Sequence, residues 1–132
     1  MENTKCVGEK SEAMVLARFL QLGWIVWQPF GDNQRYDLVI DRGLGFETVQ
    51  VKTATFKKGS IVFRTCSTYA HRGRKSRSYK GNCDLFAVYS PRFNEVYLIK
   101  VNEVGETMCA LRVEETKNKQ SKEIRFASLY KI

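Results

Sequence analysis

The sequence predicts one α+β domain over residues 1–132, built around a central mixed β-sheet. A single helical pattern near the start is followed by short apolar runs that turn residues separate. No internal repeat or low-complexity tract interrupts this order. A chain of 132 residues, of which 43% are hydrophobic, can bury one core but not two independent ones.

The helix is predicted over residues 11–22. Its apolar positions recur at helical spacing and are Val15, Leu16, Phe19 and Leu20. Gly23 is a suitable place for the helix to stop. Glu12 lies on the same stripe, so its carboxylate is expected to face inward, where it needs a cation, a metal or hydrogen-bond donors.

Seven strands are predicted from short apolar runs that turn residues bound. They cover residues 24–30, 36–41, 46–54, 60–66, 84–89, 95–101 and 109–113. Residues 69–82 are interpreted as a loop and residues 102–106 as a helical turn. Because only a short turn joins the second and third strands, we expect them to lie side by side.

Polar residues occur at the centre of these two neighbouring strands. Side chains alternate along a strand, so Gln50 and Lys52 share one face in the middle of the third strand. Asp37 lies within the apolar run beside it, and Glu12 on the helix is a fourth member. The four side chains could converge on one site. An internal salt-bridge cluster of Asp37, Lys52 and Glu12 is the alternative interpretation.

Three segments together resemble the PD-(D/E)XK nuclease family. They are, in chain order, Gly8-x3-Glu12, Arg35-Tyr36-Asp37-Leu38 and Val49-Gln50-Val51-Lys52-Thr53. They are most similar to the small branch that includes homing endonucleases encoded in group I introns. The resemblance implies a restriction-endonuclease-like core, with a mixed central sheet flanked by helices. It also implies metal-dependent cleavage of phosphodiester bonds in DNA.

The resemblance assigns a role to each member of the site. Asp37 matches the metal-binding aspartate, Lys52 the lysine, and Glu12 the helix glutamate that completes or supports the site. The implied cofactor is Mg²⁺, for which Mn²⁺ can substitute. Its expected ligands are Asp37, the side-chain oxygen of Gln50, the Val51 carbonyl and Glu12. Whether Glu12 binds a second metal or holds a metal-bound water is left open.

Gln50 is where the sequence departs from the family pattern, since most members carry Asp or Glu there. A glutamine carbonyl is a hard oxygen ligand that suits Mg²⁺. Glu47 cannot easily substitute, because three residues along a strand place it on the opposite face.

The net charge of +8 is concentrated in one segment. Between Thr48 and Cys83 there are nine basic residues and no acidic one, and the rest of the chain holds 13 basic and 14 acidic residues, a net charge of −1. A solvated face is the ordinary explanation of such a segment, but its interleaved tyrosines favour nucleic acid as a partner. The predicted DNA-binding residues are Lys57, Lys58, Arg72, Arg74, Lys75, Arg77 and Lys80.

Further expectations concern the partners and the environment of the protein. Double-stranded DNA is the expected partner, and cutting both strands needs two active sites, which favours a homodimer or homotetramer. Residues 84–101 could supply the subunit interface. Four aromatic residues are expected in the core: Trp24, Trp27, Phe86 and Tyr97. A polar start and the lack of a long apolar run predict a cytoplasmic protein without a membrane segment.

Three functions are compatible with these observations. The first is a site-specific endonuclease of homing or restriction type. The second uses the same chemistry on a branched DNA structure, as Holliday-junction resolvases do. The third is a non-catalytic DNA-binding module with a decayed site, which Gln50 alone favours.

Overall fold

The computed structural model describes residues 3–31, 34–68, 76–115 and 124–132. Within these ranges there are one α-helix, α1 (Thr4–Gln21), ten strands, and 3₁₀ turns at Val101–Glu103 and Ala127–Leu129. The strands are β1 (Ile25–Trp27), β2 (Leu38–Asp41), β3 (Phe46–Thr53), β4 (Thr55–Lys57), β5 (Ser60–Arg64), β6 (Cys66–Thr68), β7 (Ser76–Ser78), β8 (Leu85–Ser90), β9 (Glu95–Lys100) and β10 (Met108–Arg112).

The central sheet has five strands in the order β1-β2-β3-β8-β9. All neighbours are antiparallel except β3 and β8, which run parallel, so the sheet is mixed. The α+β class predicted from the sequence is therefore confirmed. Strands β2 and β3 pair with Leu38 opposite Val49, which confirms that the two strands carrying the candidate site are neighbours.

Helix α1 begins seven residues earlier than the sequence predicts and ends as predicted at Gly23. Asn3 caps the start by accepting the backbone N–H of Lys5 at 2.7 Å. At the end, Gly23 adopts a φ of 79°, and the N–H of Trp24 donates to the Phe19 carbonyl at 3.1 Å. The Trp24 and Phe19 rings then pack with centroids 5.2 Å apart, which completes a Schellman cap. The apolar stripe could not reveal the first seven residues, because none of them is fully buried.

The two faces of the central sheet are covered differently. Val15 and Phe19 of α1 pack on one face against a group of buried strand residues that includes Leu38, Ile40 and Val49. The opposite face is covered by a three-stranded sheet in the order β10-β5-β4. The resemblance implies a sheet flanked by helices; in the described residues α1 covers one face and strands form the layer on the other face. The apolar residues Ile61 and Phe63 of β5 and Cys109 and Leu111 of β10 are buried at alternate positions and face the central sheet.

Strands β6 and β7 form a separate antiparallel ribbon, with Cys66 opposite Ser78. The sequence predicts a loop at 69–82, and this prediction is wrong at Ser76–Ser78. No apolar pattern marks this strand, because its residues are Ser, Arg and Ser and its pairing with β6 is non-local. Residues 69–75, which connect the two strands, lie outside the described residues and include Arg72, Arg74 and Lys75.

The predicted aromatic core is partly confirmed. Phe86 and Tyr97 are buried, and Trp24 is half-buried. Trp27 is 42% exposed, so its predicted place in the core is wrong. It lies on edge strand β1, on a face that packs against neither the helix nor the second sheet.

The proposed interface at residues 84–101 is contradicted. Eight apolar residues of β8 and β9 are fully or almost fully buried inside the domain, which leaves little of these strands for a partner. They are Leu85, Phe86, Ala87, Val88, Val96, Tyr97, Leu98 and Ile99. Among the described ranges, no helix is long and apolar enough to span a membrane.

Candidate active site

Asp37 stands directly before β2 and is anchored to β3 by two hydrogen bonds. Its backbone N–H donates to the Val49 carbonyl at 2.8 Å, which extends the pairing of the two strands by one residue. Its carboxylate Oδ2 accepts the backbone N–H of Val51 at 2.9 Å. The side chain of Asp37 therefore takes the place of a strand partner, and the carboxylate is held at the edge of β3.

The same geometry points the Val51 carbonyl toward Asp37. In an extended strand the N–H and C=O of one residue point to the same side. Since the Val51 N–H donates to Asp37, the Val51 carbonyl also faces this edge of β3, whereas the backbone groups of Gln50 and Lys52 face the parallel neighbour β8. A backbone oxygen and a carboxylate thus lie on one side of the strand.

Lys52 and Gln50 extend from the face of β3 that lies opposite helix α1. Their neighbours Val49 and Val51 belong to the core under the helix, and alternation places the two polar side chains on the other face. The Lys52 ammonium lies 3.2 Å from the Tyr79 hydroxyl and 3.5 Å from the Cys66 carbonyl. Burial lowers the pKa of Lys52, and the nearby Asp37 carboxylate opposes that shift.

Glu12 and Asp37 share a polar cleft of about 320 Å³ beside the start of β2. Its other lining residues are Gln28, Pro29, Gly31, Gln34 and Tyr36. Burial raises the pKa of Glu12, and the negative charges of Asp37 and Glu9 raise it further. Burial also raises the pKa of Asp37, against the opposing effects of the Val51 N–H and Lys52. The structure therefore brings the helix carboxylate and the strand carboxylate together, as the sequence predicts.

These groups form a set of hard oxygen donors that suits Mg²⁺. In the described part of the chain, no three His, Cys, Asp or Glu side chains form a metal-holding group. Mg²⁺ is typically held in proteins by one or two carboxylates, with waters and substrate phosphate completing its shell. Glu12 and Asp37 are two such carboxylates, and a cation would favour their charged forms against the raised pKa values. The Val51 carbonyl lies on the Asp37 side of β3, and alternation places the predicted ligand Gln50 on the same face as Lys52.

Glu47 is engaged elsewhere, as the alternation of β3 predicts. Its carboxylate accepts two hydrogen bonds from the Arg42 guanidinium, at 2.7 and 3.1 Å. Glu47 therefore does not supply the acidic group that Gln50 lacks.

Sequence reasoning missed Arg35 and Tyr79 as neighbours of the site. Arg35 donates to Ser67 Oγ at 2.6 Å and to the Ser78 carbonyl at 2.8 Å. Its guanidinium carbon lies 4.1 Å from the centre of the Tyr79 ring. Arg35 belongs to the Arg-Tyr-Asp-Leu segment, which is a sequence signal, but its link to the β6–β7 ribbon depends on packing between distant residues.

The predicted DNA-binding residues divide into three groups. Arg77 and Lys80 are exposed and lie within two residues of Tyr79 along the chain, and the Tyr79 hydroxyl contacts Lys52. Lys57 and Lys58 lie at the β4–β5 turn, next to the start of β5. Arg64 lies at the other end of β5, and the strand is roughly 14 Å long. Arg72, Arg74 and Lys75 fall outside the described residues.

The fold and the site together define a nuclease core of the PD-(D/E)XK type. The mixed sheet carries Asp37 before one strand and Gln50-x-Lys52 in the next, and the preceding helix adds Glu12. A family model described as PD-(D/E)XK endonuclease matches residues 2–132, and the chain belongs to this family. The predicted family and restriction-endonuclease-like fold are thereby confirmed.

A solved structure similar to this chain is that of a bacterial homing endonuclease, I-Ssp6803I. The TM-score is 0.80 at 25% sequence identity, and the match covers 98% of this chain and 89% of that chain. No curated protein matches the sequence.

The carboxylates should make the metal-free protein less stable as the pH rises. Because burial raises the pKa of Glu12, the unfolded chain releases the proton first, and the free energy of unfolding falls between the ordinary value of 4.5 and the higher pKa of the folded state. The variant Glu12→Gln should lose less stability over this interval. Thermal unfolding in a chelator between about pH 4 and about pH 8 measures the difference. Parallel curves for the two proteins would contradict the prediction.

Proposed function

We propose that this endonuclease cleaves double-stranded DNA at specific sites and that it requires Mg²⁺. The observation that carries the proposal is the hydrogen bond from the Val51 N–H to the Asp37 carboxylate. This bond fixes the acidic group beside the Val51 carbonyl, and the next residue along the strand is Lys52. The similarity of the whole chain to a bacterial homing endonuclease supports the site-specific form of the proposal.

Each residue of the site has a defined task in phosphodiester hydrolysis. Asp37, Gln50 and Val51 offer oxygen atoms that would hold Mg²⁺, and Glu12 supports this position from the helix. Mg²⁺ supplies a Lewis acid that offsets charge on the scissile phosphate and lowers the pKa of a coordinated water. Lys52 orients the attacking water with its ammonium protons and stabilises the negative charge that grows on the phosphate.

The DNA backbone is proposed to lie across Arg77 and Lys80, which flank the catalytic face. The other predicted DNA-binding residues are proposed as further phosphate contacts: Lys57, Lys58, Arg72, Arg74 and Lys75. Contacts of this kind chiefly neutralise phosphates and set the register of the duplex, and they carry little sequence information themselves.

Replacing Lys80 by Ala should weaken DNA binding for every sequence tested. The loss of one phosphate contact makes the negative slope of log K against log salt concentration less steep by about 1. Fluorescence anisotropy over a salt series measures this slope. Lys131→Ala is the matched control, because Lys131 lies 3.6 Å from Glu95 on the outer strand β9 and should not change the slope. A Lys80 variant with the wild-type slope would remove this residue from the proposed surface.

The test of the proposed function is cleavage of a plasmid library and of a synthetic four-way junction in Mg²⁺. A site-specific enzyme cuts one duplex sequence, whereas a junction resolvase ignores sequence and prefers the branched substrate. If the wild type binds DNA but cuts neither substrate in Mg²⁺ or Mn²⁺, the DNA-binding module becomes the better explanation. In that event Gln50 would be the reason that the site does not act.

The proposed enzyme works as a homodimer or homotetramer, because two active sites are needed to cut both strands at one position. An exposed apolar patch next to the catalytic face supports this proposal. Trp27 and Phe46 are 42% and 73% exposed, and they pack edge to face at 5.1 Å on the face of β1–β3 that also carries Gln50. Such a patch is typical of a subunit interface.

Replacing Trp27 by Glu is expected to shift the protein to the monomer, since a charge would enter the centre of the apolar patch. The variant should then nick a target site rather than cut both strands. Sedimentation velocity measures the mass, and Met14→Glu on exposed helix α1 is the control, which should leave the mass unchanged. A wild type that sediments as a monomer at all concentrations would contradict the proposed assembly.

A further inference from the structure

Tyr79 is a buried aromatic residue directly after β7, at the base of the β6–β7 ribbon. Only 5% of its surface is exposed, and its ring packs edge-on against Phe86 with centroids 5.6 Å apart. A buried tyrosine hydroxyl usually needs a hydrogen-bond partner. The ammonium of Lys52 donates to this hydroxyl at 3.2 Å, and the Ser67 side chain is a second hydrogen-bond partner.

The contacts of Lys52 come from the ribbon rather than from its own strand. The Lys52 Nζ lies 4.5 Å from the centre of the Tyr79 ring and 3.5 Å from the Cys66 carbonyl of β6. An ammonium has three protons to donate, and two of its acceptors are the Tyr79 hydroxyl and this carbonyl. The remaining proton can serve the substrate.

Arg35 also ties Tyr79 to the ribbon. Its guanidinium lies 4.1 Å from the ring centre, within the range of a cation–π interaction. The same guanidinium donates to Ser67 Oγ on β6 and to the Ser78 carbonyl that precedes Tyr79. The backbone beside Tyr79 and one face of its ring are therefore held by one planar group with fixed donor directions.

We propose that Tyr79 is a positioning residue for Lys52 and that Arg35 fixes Tyr79 in turn. The inference rests on the proposed nuclease function, in which Lys52 orients the attacking water. A lysine side chain has several rotatable bonds, and its ammonium is effective only when its direction is set before the substrate binds. The Tyr79 hydroxyl sets this direction, and the ring limits the space in which the ammonium moves.

The activity test compares Tyr79→Phe, Tyr79→Leu and Tyr97→Phe. Loss of the hydroxyl in Tyr79→Phe should lower the single-turnover rate at saturating DNA by about 10- to 100-fold, as small displacements of a catalytic group do. DNA affinity should stay unchanged, so the effect appears in the rate and not in binding. Tyr79→Leu, which also loses the ring, should fall further. Tyr97→Phe removes a hydroxyl from another buried tyrosine, on β9, and should cleave at the wild-type rate.

A second measurement detects the position of Lys52 without any cleavage. In protein with ¹³C-labelled lysine, the ε-methylene signal of Lys52 should show an upfield ring-current shift from Tyr79. Tyr79→Phe should keep this shift, and Tyr79→Leu should lose it. The two readouts separate the contact, which the ring-current shift reports, from its effect on the reaction.

The outcomes distinguish this inference from the proposed function. If the wild type cleaves and both Tyr79 variants cleave as fast as the wild type, Tyr79 does not position Lys52. If Tyr79→Phe weakens DNA affinity and leaves the saturated rate unchanged, Tyr79 belongs to the binding surface instead. If the wild type cuts no substrate, the proposed function fails, and the ring-current shift still decides whether Tyr79 holds Lys52.

Discussion

The variant Asp37→Asn is expected to lose cleavage while its metal-free form becomes more stable than the wild type. The rate should fall at least about 1,000-fold, because a metal-held transition state is stabilised by several kcal/mol and each 1.36 kcal/mol is a factor of ten. The stability should rise, because burial raises the pKa of Asp37 and its charge therefore opposes folding at neutral pH. Asparagine keeps an oxygen for the Val51 N–H and removes the charge.

Two measurements test both halves of this expectation. Single-turnover cleavage in Mg²⁺ gives the rate, and thermal unfolding in a chelator gives the stability, for which a Tm above that of the wild type is expected. Addition of Mg²⁺ should raise the Tm of the wild type and leave Asp37→Asn unchanged, since a ligand stabilises only the state that binds it.

The control for Asp37→Asn is Asp41→Asn, at the other end of β2. Asp41 accepts the backbone N–H of Gly43 at 2.8 Å, remote from the site, and its variant should cleave normally. If Asp37→Asn cleaves at the wild-type rate, Asp37 does not hold the metal. If it cleaves slowly but responds to Mg²⁺ as the wild type does, Asp37 acts in catalysis without binding the ion.

The sequence predicted the parts of the site that depend on local periodicity. Alternation along β3 placed Gln50 and Lys52 on one face, and the short β2–β3 turn brought Asp37 beside them. The helical spacing of α1 predicted an inward-facing Glu12, which shares a cleft with Asp37. These relations follow from the side-chain periods of a strand (two residues) and of an α-helix (3.6 residues), which can be applied to a sequence without a structure.

What the sequence could not predict depends on pairing between distant segments. Strand β7 contains no apolar residue, so only its partner β6 identifies it as a strand. The contacts of Tyr79 with Lys52 and Arg35 span 27 and 44 residues along the chain, and no periodicity links such positions. The three-stranded sheet could not be predicted for a similar reason, because β5 and β10 are brought together by pairing across 44 residues or more.

The variant Lys52→Met is expected to bind DNA normally and to cleave about 100- to 1,000-fold more slowly, which is the cost of losing one preorganised charge at a developing anion. Methionine keeps the length and apolar stem of the lysine but not its ammonium. Lys52 is half-buried behind the Tyr79 ring, so it contributes little to the outer basic surface that binds phosphates. Single-turnover cleavage in Mg²⁺ and DNA binding in a chelator separate the two effects.

Lys52→Arg shows whether the charge or its geometry matters. A guanidinium keeps the positive charge, but it is planar and larger than an ammonium, and it cannot fit the same acceptors at the Tyr79 hydroxyl and the Cys66 carbonyl. We therefore expect Lys52→Arg to remain at least about 10-fold slower than the wild type. The control is Lys131→Met, which removes an exposed ammonium on the outer edge of the sheet and should leave the rate unchanged. Full activity of Lys52→Arg would mean that only the charge is required, and full activity of Lys52→Met would exclude Lys52 from the chemistry.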